Sequence, residues 1–251
     1  MTNFVRIFEP DAALRREYAA GMLGSRSLAE TFDPAANGIT LLRLSLALVV
    51  VFSHAFKIGA FGADPGEVLS GGQTQLGTVA VAAFMVLSGF LVTRSRETAG
   101  ARRFAWRRLL RVMPAYWVCL AVTAFVVAPA AALAVGGGVE PGEALGYVTG
   151  NALLVHLVPG VGSAFASDPY AYIANGSLWT LAPEAACYIV ILCIPRRYLR
   201  TVAPALLAGL AVVHLARMTG ADPSIIAVDF PLEFALGACA WLFRDRIPML
   251  R

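Results

Sequence analysis

Charge is scarce in this sequence. Charged residues make up 14% of its 251 positions, against about 25% in an ordinary soluble domain. So few charges cannot cover the surface of a water-soluble protein of this length, which excludes that class. Lysine is almost missing: Lys57 is the one lysine among 20 basic residues. The formal net charge of +4 is too small to imply a nucleic-acid partner. Cysteine is sparse too. Cys119, Cys187, Cys193 and Cys239 all lie in apolar stretches without CxxC spacing, so neither a metal centre nor a disulfide framework is expected. They read as small buried residues. The order of a secretory signal peptide, charged residues followed by an apolar run and a cleavage site, is absent from residues 1–36, and no repeat of fixed period is evident.

What the chain has is apolar sequence gathered into long runs. Apolar residues account for 58% and the mean hydropathy is +0.69. Runs of about 18 or more apolar residues read as bilayer-spanning helices. Spans are expected at about 39–58, 76–93, 112–134, 178–194, 201–217 and 225–243. The predicted fold class is an all-α polytopic transmembrane bundle with six full spans. Segment 144–158 is short and interrupted by Gly146, Gly150 and Asn151, so it is expected to be re-entrant or interfacial. Residues 1–36 read as a cytoplasmic leader with a short interfacial helix around 11–23, and 37–251 as the transmembrane domain.

Topology follows from arginine. The stretch after the second span carries Arg94, Arg96, Arg102, Arg103, Arg107, Arg108 and Arg111 against the single acid Glu97. Short segments dense in Arg stay in the cytoplasm. The same rule applies to Arg196, Arg197 and Arg200 and to Arg244 and Arg246. Both ends are then cytoplasmic, the turn 221–224 is external, and a bacterial inner membrane is the expected location. Membrane lipid is the expected surrounding partner.

Ionisable residues inside spans cost about 2.5–3.5 kcal/mol each on insertion scales, so each needs a reason. Arg43 and His54 share the first span, 11 residues apart. Eleven helical steps make three turns plus roughly 20°, over a rise of about 16 Å. One helix face thus carries a fixed cation at one depth and a titratable base further out. Counted down from the outer edge of its span, Glu184 falls near the depth of His54, where its carboxylate could orient the imidazole. Ser88 falls near the depth of Arg43. The dipeptide Ser88-Gly89 suits close helix packing first. Arg103, Arg107, Arg108 and Arg111, clustered within a few helical turns, suit phosphates. Ser177 is a helix-capping candidate and Trp179 an interfacial one. Glu233 is a further intramembrane acid, with Asp229 near the outer end of the same span. His156 and His214 have no nameable partners and read as interior residues. Chemistry built on Arg, His and Glu inside a membrane also fits a proton-coupled transporter, and an inactive membrane fragment is a third reading.

The residues carry a family resemblance. Arg43 and His54, with ten residues between them, resemble the first-span signature of the acyltransferase-3 family of membrane O-acyltransferases. Phe84 to Val92 (FMVLSGFLV) is similar to its FxxSGFLI motif, Arg107 to Trp117 (RRLLRVMPAYW) to RRxxRIxPxYW, Ser177 to Glu184 (SLWTLAPE) to SLWTLxxE, and Glu233 to Gly237 (EFALG) to its EFxLG-type helix. The resemblance implies transfer of an acyl group, acetyl expected, from cytoplasmic acyl-CoA to a hydroxyl of a sugar or other cell-envelope acceptor, carbohydrate or lipid-linked. Acyl-CoA would be a co-substrate rather than a resident cofactor. His54 would be catalytic, aided by Glu184 and Arg43. Arg103, Arg107, Arg108, Arg111 and Ser88 would meet the donor. Family members are longer and carry more spans, so the chain is expected to be incomplete at its C-terminal end.

Overall fold

The computed structural model describes residues 26–59, 61–155, 157–168, 171–219 and 226–249. The interfacial helix expected at 11–23, the external turn at 221–224 and His156 lie outside the described residues. Among those described, the structure is helical. The helices are α1 (Leu28–Thr31), α2 (Ile39–Ile58), α3 (Pro65–Ser70), α4 (Leu76–Thr98), α5 (Ala101–Val122), α6 (Ala128–Ala134), α7 (Pro141–Asn151), α8 (Leu181–Cys193), α9 (Leu199–Thr219) and α10 (Ile226–Leu242).

Five stretches are long and apolar enough to cross a bilayer: Ile39–Ile58, Leu76–Thr98, Ala101–Ala134, Gly176–Cys193 and Arg196–Met218. The sixth expected span is α10, with 17 residues in the described part. Their outward faces are apolar, with Leu41, Val51, Leu133 and Val212 all more than half exposed. In water such surfaces would drive association, whereas in lipid they are the expected coat. α7 has 11 residues, a rise of about 16 Å, roughly half a hydrocarbon core. As expected for segment 144–158, it is too short to cross.

Two compact units make up the chain. One comprises Met1–Ile39 and Phe243–Arg251. In it Leu28 N–H donates to Ile247 O at 2.8 Å and Met249 N–H to Arg26 O at 2.9 Å. Ser27 and Glu30 form a reciprocal capping box on the single turn α1.

The other unit, Thr40–Leu242, holds the bundle. Its tightest packing is α4 against α10. Added Cβ atoms there would lie 2.0 Å from Phe234 O at Gly89 and 1.9 Å from Val86 O at Gly237. Glycine at both positions lets the two backbones touch, as small residues do between membrane helices. Phe90 and Trp241 meet edge to face at 5.2 Å. α5 continues through Pro114 into a π-helical segment, Thr123–Val127, and then α6. Such bulges free a backbone turn to present a side chain. Here Thr123 Oγ1 accepts from Asn175 Nδ2 at 2.6 Å. Asn175, in the left-handed region at φ 53°, a conformation Asn tolerates, turns the chain into α8.

The arginine-rich stretch 94–111, which the sequence suggests is a loop between two spans, is helical instead. It is the end of α4 and the start of α5, broken only at Ala99-Gly100.

Candidate active site

Three helices converge on Glu184, in the first turn of α8. Ser88 Oγ on α4 donates to Glu184 Oε1 at 2.7 Å, and Tyr188 OH, one turn along α8, donates to the same oxygen at 2.5 Å. Arg43 from α2 lies within Coulombic reach of Glu184, Tyr188 and Arg111. Arg108 from α5 reaches the same carboxylate and places its guanidinium 5.7 Å from the Tyr188 ring and 5.8 Å from that of Phe104. One carboxylate thus lies within electrostatic range of two guanidinium groups, those of Arg43 and Arg108, and Arg111 acts on both of these. None of Arg43, Arg108 and Arg111 forms an ion pair among the described residues. The station carries surplus positive charge inside a membrane segment. Beside it, a cleft of 170 Å³ between α5 and α8 is lined by Phe104, Arg108, Met113, Leu181, Glu184 and Leu192.

His54 stands elsewhere. It is exposed near the C-terminal end of α2. Its Nδ1 lies 2.8 Å from Val50 O. A carbonyl only accepts, so Nδ1 carries the proton and the Nε2 lone pair of the neutral ring is free. The neighbouring Ser53 is buried and hydrogen-bonds Asp64, which also accepts from Gly66 N–H at 2.6 Å and Leu76 N–H at 2.9 Å. Burial pushes the Asp64 carboxyl up. The hydrogen bonds from Ser53, Leu76 and Gly66 outweigh it and leave Asp64 below the usual carboxylate range. Asp64 thereby ties α2 to the start of α4. A Cβ at Gly77 would touch Ser53 Oγ at 2.7 Å and lie 3.6 Å from His54 Nδ1. Gly77 precedes Ser88 by eleven residues, about 16 Å of helix.

The expected pairing of Glu184 with His54 is therefore corrected: Glu184 shares the depth of Arg43 and Ser88. The reason is the reference point. α8 is entered through an irregular segment and a 3₁₀ turn, Gly176–Thr180, so counting down from an outer edge misplaces it. Its C-terminal end fixes its register. The expected match of Ser88 with Arg43 holds, and Ser88-Gly89 does two jobs, the hydroxyl on Glu184 and the glycine against α10.

The remaining candidates scatter. Arg103 and Arg107 are exposed on the first turns of α5, on the approach to Arg108. Arg94 and Arg96 belong to helix packing: the Arg94 guanidinium lies 5.9 Å from the Trp241 ring, and Arg96 is buried against the end of α8. Ser177 is not a helix cap, since it lies within the 3₁₀ turn and its carbonyl accepts from Thr180 Oγ1. Trp179 stacks on Phe230 at 5.4 Å. Glu233 keeps a buried Oε2 without a hydrogen-bond partner among the described residues.

Sequence reasoning missed two residues. Tyr188 joins Glu184 one turn on, a spacing that was legible. His214 does have a partner: its Nδ1 lies 2.6 Å from Asp229 Oδ1, both side chains being roughly a quarter exposed. That pair joins two helices and has no sequence spacing to betray it.

The acyltransferase-3 profile, described as an acyltransferase domain, matches residues 36–249. Nodulation protein 10 of Rhizobium leguminosarum bv. viciae is 32% identical over 194 residues, covering 72% of this chain and 49% of that protein. The chain thus spans about half the length of the curated relative it matches. No solved structure matches. A profile match across most of the chain, on a bundle that gathers the motif residues Arg43, Ser88, Arg108 and Glu184, establishes that this chain belongs to the acyltransferase-3 family of membrane acyltransferases.

Proposed function

We propose that the protein is an O-acyltransferase of the inner membrane that moves an acyl group from cytoplasmic acyl-CoA to a hydroxyl of a carbohydrate or lipid-linked acceptor. The observation that carries this reading is the surplus of cations around Glu184. Two guanidiniums beside one carboxylate, with the third, Arg111, acting on both of them, call for an anionic ligand. A CoA ester supplies one, with phosphates for the approach residues Arg103 and Arg107 and an extended arm for the cleft beyond Arg108. Acetyl is the simplest group such a donor would bring.

His54 is the general base on the acceptor. Val50 O, rather than Glu184, fixes its tautomer and leaves Nε2 to take the hydroxyl proton. The alkoxide oxygen attacks the thioester carbonyl, a C–O bond forms, the C–S bond breaks, and the imidazolium returns its proton to the departing thiolate. Arg43 and His54 lie on one helix about 16 Å apart, a distance an extended pantetheine arm can bridge. Glu184 serves the donor station, holding Arg43 and Arg108 in place. With the arginine-rich helix ends facing the cytoplasm, the donor enters from inside and the acceptor meets His54 towards the outer side.

Radiolabelled acyl-CoA incubated with membranes containing the protein, with and without candidate acceptors, tests this. Label transferred to an acceptor is the expected result. Uptake into vesicles without transfer would instead favour a carrier, and neither outcome would make the chain inactive as it stands.

A further inference from the structure

Glu184 meets Ser88 only if α8 and α4 keep one register. The two helices run parallel, and their cross-links share an offset. Ser88 and Glu184 are 96 positions apart in sequence, and so are Arg96 and Leu192, whose carbonyl accepts from Arg96 Nη2 at 3.4 Å. The same Nη2 reaches Ile194 O at 3.4 Å. In return Arg196 Nε donates to the Arg96 carbonyl at 3.0 Å, near the end of α4. Arg96 is 7% exposed, an unusual degree of burial for an arginine.

Each helix end leaves carbonyls without intrahelical partners, and a cation there is favoured by the helix dipole. Arg96 supplies both donor and charge to the end of α8, and Arg196 does the same for α4. Between these points both helices are largely apolar in sequence. Two apolar helices can move past each other by one turn, about 5.4 Å, because one turn of methyl groups resembles the next. Such a slide would take Glu184 beyond reach of Ser88. It would also strip the buried guanidinium of its carbonyl partners, an outcome with a heavy desolvation penalty.

We propose that Arg96 is a positioning residue of the transfer site, a register lock that holds Glu184 opposite Ser88 and within the field of Arg43 and Arg108. This rests on the acyl-transfer reading for its kinetic consequence, not for its structural one.

Disulfide trapping reads the register directly. Residue pair 95/191 keeps the same offset and lies two turns from Ser88 and Glu184 on the same faces. Ser95→Cys with Ile191→Cys reports the native register. Ser95→Cys with the native Cys187 reports a slide of one turn. In both, the other native cysteines are replaced by Ala. With Arg96 present, crosslinking occurs at 191. In Arg96→Met that bond is lost or moves to Cys187, although the protein still elutes as a single species in detergent. Arg96→Lys gives an intermediate pattern. With radiolabelled acetyl-CoA, Arg96→Met lowers kcat by about tenfold or more, and KM for the donor stays within about twofold. Unchanged crosslinking with unchanged kcat overturns the register lock. A raised KM with kcat intact also overturns it and makes Arg96 a donor contact. If the parent transfers no label to any acceptor, the functional reading fails and the crosslinks still decide the register.

Discussion

α4 and α2 are held in opposite ways. α4 is packed on its neighbours along its length, by Gly89 and Ala80 against other helices, by Ser88 and Arg96 against α8, and by Glu97, which accepts from Trp241 Nε1 at 2.7 Å. On α2 a single residue, Ser53, is buried, although this helix carries both Arg43 and His54. The first arrangement fixes geometry through many small contacts. The second rests on few contacts, the field of Glu184 on Arg43 at one depth and the Asp64 staple near the C-terminal end. The lesson is a division of labour: Ser88 and Glu184 meet on a rigid frame, whereas His54 rides on a helix whose position depends on a few polar links. Substitutions in the packed contacts should accordingly act on stability, and those at the polar groups on rate.

The largest effect is expected at the rigid frame. Gly89→Leu would drive a side chain into the Phe234 carbonyl, 2.0 Å from the first added carbon. Overpacking of about 1–3 kcal/mol or more is enough to abolish a monodisperse species in detergent. Recovery of normally folded protein would show that α4 and α10 are not in backbone contact. Next comes Glu184→Gln, which keeps an oxygen for Ser88 and Tyr188 and removes the charge. It is expected to lower kcat by about tenfold to a hundredfold with little change in melting temperature. A change in stability alone would assign Glu184 to packing.

Asp229→Asn should be milder. It weakens the His214 contact between α9 and α10, and because both partners are partly exposed the loss is about 1 kcal/mol, read as a small drop in melting temperature. The smallest effect concerns Asp64. Its carboxyl is held below the usual range, so its contribution is full above that range and is lost as pH falls through the lowered value. In acid the C-terminal end of α2 should loosen from α4, seen as a lowered melting temperature, whereas Asp64→Asn should show the lowered melting temperature at every pH. A melting temperature unaffected by Asp64→Asn would remove the staple.

Much of the bundle was legible because lipid imposes a simple rule. A run of twenty apolar residues has few alternatives to a spanning helix, so Ile39–Ile58 and Leu76–Thr98 follow from composition alone. Counting residues along the spans also placed Ser88 near the depth of Arg43. Relations between helices were harder. Nothing in the sequence near Glu184 states where α8 begins relative to α4, because the register is set by Arg96 nearly a hundred residues away. Nothing near His214 announces Asp229, since the pair meets only once α9 and α10 are side by side. Arginine hid its own roles: charge counting groups Arg94 and Arg96 with Arg103 and Arg107, yet the first two hold helices together and the others remain exposed.

The central claim is that a free imidazole nitrogen on α2, separate from the donor station, removes the acceptor proton. Initial rates of acyl transfer from radiolabelled acetyl-CoA, in membranes carrying His54→Ala beside the parent, test it most directly. A fall of about a hundredfold or more, with KM for the donor little changed, is the predicted result, and full transfer by His54→Ala would contradict it.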